Sequence, residues 1–170
     1  MSCYHLAQLN IAHAIAPLTD PRLEEFVAAQ AEINKLAESS TGFIWRLKDA
    51  GYRTVDGELL ADPNLLVNIS VWRSIESLFG FVYQSAHAGI MSRRHEWFEN
   101  PTEFYYQVLW WVPTGHLPTA NEGWDRLDHL NDIGPTDHAF IFKQKFPPPP
   151  PPEGATVASQ RPLSAPPPKF

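Results

Sequence analysis

The sequence predicts an α+β fold, a ferredoxin-like split βαβ sheet with helices on one face. Three observations carry that prediction. Hydrophobic spacing alternates between strand and helix periods through residues 1–146, in the order β-α-β-β-α-β with an extra α-β at the end. A polar excursion of hairpin type, with Gly51, Gly57 and Asp62-Pro63, lies at residues 49–63. At residues 65–72 the run LLVNISVW is the strongest strand signal, and it leads directly into a long helix.

The elements follow in order. Residues 4–11 are strand-like. Pro21 opens a helix at its first turn with Asp20 as N-cap, and Leu23, Phe26, Val27, Ala31, Ile33 and Leu36 recur at helical spacing to about Glu38. Gly42 stops that helix, and a short strand with Trp45 follows at 43–47. After the strand at 65–72, Ser74 caps a helix that passes through Phe79 and Val82 and breaks near Ser85. It resumes from about His87 to Phe98 and ends at Asn100-Pro101. A strand is expected at 104–112, an acidic helix at 121–131 and a last strand at 138–146. Beyond Phe146, six consecutive prolines and a stretch without hydrophobic period form a proline-rich, disordered tail at 147–170. That tail is either a solvated extension or a ligand for a polyproline-recognition domain.

Composition narrows the function classes. A net charge of -6 with no long basic block argues against nucleic-acid binding. A single cysteine, Cys3, excludes an internal disulfide and a cysteine-cluster zinc site. No basic-then-apolar leader opens the chain, and no apolar run approaches the ~20 residues that span a bilayer. A cytoplasmic protein with no membrane association is expected. GxGxxG, GxxxxGK[ST] and GxSxG are all missing, so nucleotide-fold and serine-hydrolase readings lose their usual support.

The strands are apolar on both faces: Leu65, Val67, Ile69 and Val71 oppose Leu66, Asn68, Ser70 and Trp72. A sheet covered by helices on one face alone would leave an apolar patch, which a homodimer of face-to-face sheets would bury. The turn at residues 71–79, followed by Phe81, Ser85 and His87, resembles the dimeric α/β-barrel superfamily, which includes antibiotic-biosynthesis and haem-degrading monooxygenases. The runs FVYQSAHAGIMSRRHEWFE, YHLAQLNIA and YYQVLWWVPTGHLPT more closely resemble a domain-of-unknown-function family within it, over residues 3–146. The resemblance implies pairing as a dimeric α/β barrel. It also implies a small-molecule enzyme of monooxygenase-like type, acting on an aromatic or polyketide-like substrate without a tightly bound organic cofactor. In the haem-degrading branch a strand Asn, a helix Trp and a helix His act together. Here Asn10 and His87 stand at counterpart positions, and the Trp position falls near Phe81.

The residues themselves leave alternatives open. His87 is a structural histidine, or an acid, base or haem ligand. Met91 and Arg94, four and seven positions on, share its face. Arg94 either steadies an anionic oxygen or pairs with Glu96, Glu99 or Glu103. Asn68 and Ser70 point to one strand face with Trp72, and their partners are the covering helix or a ligand. Gln8 and Asn10 repeat the pattern on the first strand, and Gln107 on a later one. The catalytic candidates are therefore His87 and Arg94. Asn10, Asn68, Ser70, Trp72, Phe81 and Met91 are the candidates for holding substrate between the sheet and the helix over it. Asp125 and His129, four apart, are a metal pair or part of a solvated acidic helix; no sure third ligand accompanies them, and no metal site is expected. Two further readings are a non-catalytic barrel that binds a ligand or assembles with partners through the tail, and a haem-binding barrel.

Overall fold

The computed structural model describes residues 3–100 and 104–151. Four strands form one antiparallel sheet: β1 (Tyr4–His13), β2 (Phe43–Arg46), β5 (Leu65–Trp72) and β6 (Gln107–Pro113), in the order β2-β5-β1-β6. With α1 (Glu24–Ser39) between β1 and β2, and α2 (Ile75–Gln84) between β5 and β6, this is the ferredoxin-like arrangement expected from the sequence. β3 (Arg53–Val55) and β4 (Glu58–Leu60) form a separate hairpin. Its turn places Asp56 and Gly57 at φ 50° and 83°, as the tight mirror-image turn demands.

Local chemistry sets the helix ends. The Asp20 side chain accepts from Arg22 N, and Pro21 begins a short 3-10 turn that leads into α1. The Ser74 hydroxyl accepts from Ser77 N and starts α2. Thr119 accepts from Glu122 N and starts α4 (Ala120–Ile133). The break at Ser85 is a serine corner. Ser85 has extended backbone, its Oγ donates to Phe81 O, and the same atom accepts from His87 N at 3.1 Å. α3 (His87–Ser92) starts from that corner, and a 3-10 turn at Arg94–Glu96 follows it. The helix expected to continue to Phe98 is thus two short pieces.

The sheet has two covered faces. Leu6, Trp72, Leu78 and Val82 pack on the α1–α2 side. On the other, Ala7, Leu9, Ile69, Val108 and Trp110 pack with Leu127 and Leu130 of α4. Gly123 permits this approach, because a Cβ there would stand 2.7 Å from Leu9 Cδ1. The apolar outer face that pointed to a second copy is therefore buried within the chain by α4. The acidic residues of that helix are not simply solvated: Arg53 reaches Asp128 at 2.7 Å and Asp125 at 3.6 Å, so the β3–β4 hairpin is clasped to α4.

Two expected strands differ. Residues 104–106 stand outside β6, because Tyr105 gives its N–H to Asn131 Oδ1 at 2.7 Å and its carbonyl accepts from Asn131 Nδ2. Residues 138–146 form no strand. Phe140 makes one two-way bridge with Leu109 on the edge of β6, and the chain then turns back at Ile141–Gln144. Pro147 follows closely and supplies no N–H to extend the pairing. Tail residues 152–170 lie outside the described residues. Among those described, no helix is long and apolar enough to cross a membrane.

Candidate functional site

Between the sheet and α1–α3 lies a cavity of about 200 Å³. Its floor is the sheet face that carries Gln8, Asn10, Asn68 and Ser70, and its roof is the α1 stripe Phe26, Ala29, Gln30, Ile33, Asn34 and Ala37. Those six recur at three- and four-residue spacing, so they occupy one helix face. Only Ala37 of α1 is buried, because the rest of that face overhangs the hollow rather than packing on the sheet.

All eight residues singled out from the sequence line this cavity: Asn10, Asn68, Ser70, Trp72, Phe81, His87, Met91 and Arg94. Strand register builds the floor. Asn10 of the central strand is paired with Asn68 on one side and Gln107 on the other, so three side-chain amides form a row across three strands. Among the described residues none of the three makes a side-chain hydrogen bond. Asn68 is exposed although it sits in the middle of a strand whose neighbours are buried. The covering helix is thus not its partner; the cavity is. One pleat away, Gln8 Nε2 donates to Ser70 Oγ at 3.0 Å, and Trp72 Nε1 donates to the same oxygen at 2.9 Å. Trp72 itself is almost wholly buried, stacked under Phe81 at 5.2 Å and edge-on to Phe43 at 5.3 Å. It closes one end of the hollow.

His87 begins α3 where the serine corner leaves it, with its ring 4.7 Å from that of Phe81. Its Nδ1 lies 3.2 Å from Val82 O. A carbonyl only accepts, so Nδ1 carries the proton and Nε2 is left with a lone pair. Among the described residues nothing bonds Nε2. Burial pushes the imidazole below its ordinary pKa, against a smaller opposing effect of the Val82 bond. The side chain is neutral at pH 7 and able to take a proton.

Arg94 is half-buried with its guanidinium over the Tyr106 ring at 4.6 Å. It has no carboxylate partner among the described residues. Its neighbour Arg93 takes both Glu96 and Glu25, which holds Arg93 well above the ordinary arginine range and both carboxyls below theirs. Glu99 lies 3.4 Å from His13, and Glu103 is outside the described residues. Arg94 is therefore a cation on the cavity wall, stacked on an aromatic ring and without an acidic partner among the described residues.

Sequence reasoning missed Gln30, Asn34 and Tyr106. The signal for the first two was present: polar residues at inward positions of an otherwise apolar helical stripe. His129 Nε2 is 3.0 Å from Thr136 Oγ1, and Asp125 lies 3.6 Å from Arg53; no cluster of three or more His, Cys, Asp or Glu able to hold a metal occurs among the described residues.

The family described as Domain of unknown function (DUF3291) matches residues 5–155. No curated protein matches the chain. Three solved structures are similar in part. A protein of unknown function from Nitrosomonas europaea has TM-score 0.42 and 14% identity, over 69% of this chain and 97% of its own. A protein from Pseudomonas aeruginosa has TM-score 0.40 and 16% identity, over 68% and 98%. A second Nitrosomonas europaea protein, described as a candidate antibiotic biosynthesis monooxygenase, has TM-score 0.42 and 16% identity, over 70% and 96%. The ferredoxin-like assignment rests on the strand order itself.

Proposed function

The chain belongs to the DUF3291 family, whose description assigns no reaction, and we propose from the cavity that it is a small-molecule enzyme of monooxygenase-like type. Its substrate is a compact aromatic or polyketide-like molecule with an acidic C–H or O–H. One observation carries the reading: a neutral imidazole with its tautomer set by Val82 O shares a cavity wall with a guanidinium that no described carboxylate neutralises. His87 Nε2 takes the substrate proton. Arg94, with the amides of Asn10 and Asn68, holds the oxyanion that forms, so charge is stabilised by donors already in place on the cavity wall. Phe81, Met91 and the Trp72 end keep the ring in place. Dioxygen is the oxidant: the carbanion adds it to give a hydroperoxide, which loses water, so CH2 and O2 become C=O and H2O.

Haem fits this site poorly. His87 Nε2 is available as an axial ligand, but about 200 Å³ is below the ~300–1,000 Å³ that drug-sized ligands occupy, and a haem is no smaller than these.

Dioxygen uptake with 1,8-dihydroxyanthrone tests the reading, since the enolate of this ketone reacts with dioxygen to give the quinone. The expected result is uptake above the buffer rate, lost in His87→Gln and weakened in Arg94→Gln through KM. Uptake equal in wild type, His87→Gln and Arg94→Gln would remove the catalytic assignment. Binding without uptake would favour a carrier.

A further inference from the structure

Away from the cavity, the chain leaves the domain through a run of prolines that begins at Pro147. Proline fixes φ and has no N–H, so such a run is an extended polyproline II rod that joins neither helix nor sheet. The domain grips the start of this rod in two places. Trp111 Nε1 donates to Phe146 O at 2.9 Å, and the Tyr4 hydroxyl donates to Pro150 O at 3.4 Å. Both side chains belong to one face of the sheet, because Trp111 pairs with Leu6 and Pro113 with Tyr4. The two gripped carbonyls are about 12 Å apart along a polyproline II chain, and over that length the rod is fixed against the domain.

What the rod shows outward defines the partner that reads it. Residues 147–151 are all exposed. Among the described residues, the carbonyls of Pro147, Pro148 and Pro149 accept no hydrogen bond. Pyrrolidine ridges and bare acceptors, with no donor between them, are complemented by flat aromatic rings that carry an N–H or O–H. Trp111 and Tyr4 already apply that chemistry to the inner side of the rod. Just ahead of it, Lys143 and Lys145 are exposed, and neither forms an ion pair among the described residues. A partner that continues past the prolines meets two positive charges at that end.

We propose that residues 143–151 are a docking strip for a protein domain whose groove pairs aromatic rings with an indole or phenol donor and ends in an acidic rim. The fold presents the strip already extended, so part of the ordering cost of a loose proline-rich segment is met before the partner arrives. The strip works independently of the cavity chemistry.

Calorimetric titration of the full chain with an SH3 domain that has an acidic specificity loop tests the proposal, with a profilin as a polyproline reader for comparison. The expected result is saturable binding of the SH3 domain below about 1 mM. Replacing Pro148 and Pro151 together with alanine should weaken it at least about tenfold, with Tm held within about 2 °C because both positions are exposed. Lys145→Glu should weaken it as well, and the difference from wild type should shrink as salt is raised. A free peptide of residues 143–151 should bind less tightly than the full chain. No SH3 binding at about 1 mM, or binding unchanged by the paired proline substitution, overturns the docking strip. Binding of the profilin alone, indifferent to Lys145→Glu, overturns the acidic partner. A free peptide that binds as tightly as the full chain overturns presentation by Trp111 and Tyr4.

Discussion

Replacing Gly42 with alanine perturbs the joint that sets the roof of the cavity. Gly42 follows α1, opens the way into β2, and accepts from Arg73 N at 2.7 Å, just before α2 begins. Its φ is +83°, where an L residue pays about 1–2 kcal/mol. The new Cβ would also collide with Ser77 of α2, lying 2.6 Å from Ser77 Cβ and closer still to Ser77 Oγ. The hydroxyl can rotate away, but Ser77 Cβ is fixed by the helix backbone, so either α2 or the β2 junction must move. Overpacking of this kind costs about 1–3 kcal/mol. The lower chain entropy of unfolded alanine recovers less than about 1 kcal/mol, which leaves a net loss of about 2–4 kcal/mol. For a domain of this size each kcal/mol lowers Tm by about 2–4 °C. Thermal unfolding of Gly42→Ala should therefore show a fall of about 4–16 °C. Measured against Ser77→Gly alone, which itself costs about 1 kcal/mol as a helix glycine, adding Gly42→Ala should lose only the backbone share. A Tm within about 2 °C of wild type, or strict additivity in the double variant, would refute the reasoning.

Three other outcomes follow from the same structure. Burial holds the His87 pKa below its ordinary 6.5, so the unfolded chain binds that proton more readily. Its stabilising contribution is complete above about pH 6.5 and falls as pH drops toward the depressed native value. His87→Gln should flatten the decline of unfolding free energy between pH 7 and 5 without abolishing it, because His5 and His138 are also lowered; an unchanged slope contradicts this. Leu130→Ala empties a fully buried position under α4 and should cost about 3–5 kcal/mol in urea unfolding, whereas a cost below ~1 kcal/mol would mean that α4 does not cover the sheet. Arg93→Ala removes an exposed tie from the Arg94–Glu96 turn to α1, and its small effect on Tm should vanish as salt is raised toward about 1 M; a loss that persists in salt would show packing rather than charge.

Much of the site was legible because strand and helix periods determine which side chains share a face. Asn68 and Ser70 alternate with hydrocarbon in β5, and His87, Met91 and Arg94 recur along one helical side, so their meeting in one cavity follows from local spacing. The break at Ser85 was legible too, although not the double use of its hydroxyl that produces it. What escaped depends on partners distant in sequence. α4 reads as an acidic surface helix because Asp125 and Asp128 dominate it, and their partner Arg53 lies on the far hairpin. The sheet face that reads as uncovered is buried by Leu127 and Leu130 of that helix. The expected strand at 138–146 has strand-like residues, yet β6 offers it pairing only at Leu109. Arg93 and Arg94 are adjacent and chemically equal in the sequence. Only the fold decides that the first faces Glu25 of α1 and the second faces the Tyr106 ring.

The central claim is that amide, imidazole and guanidinium groups converge on one hollow that takes a small molecule. Nitrogen-detected NMR of side-chain amides and imidazoles during titration with 2-naphthoate tests it most directly. The account predicts saturable shifts of Asn10, Asn68 and Gln107 NH2 signals and of His87 Nε2, with the backbone signals of Leu127 and Leu130 unmoved. Saturable shifts confined to α4 or to the β3–β4 hairpin, or no shift at any of these amides at saturating probe, would contradict it.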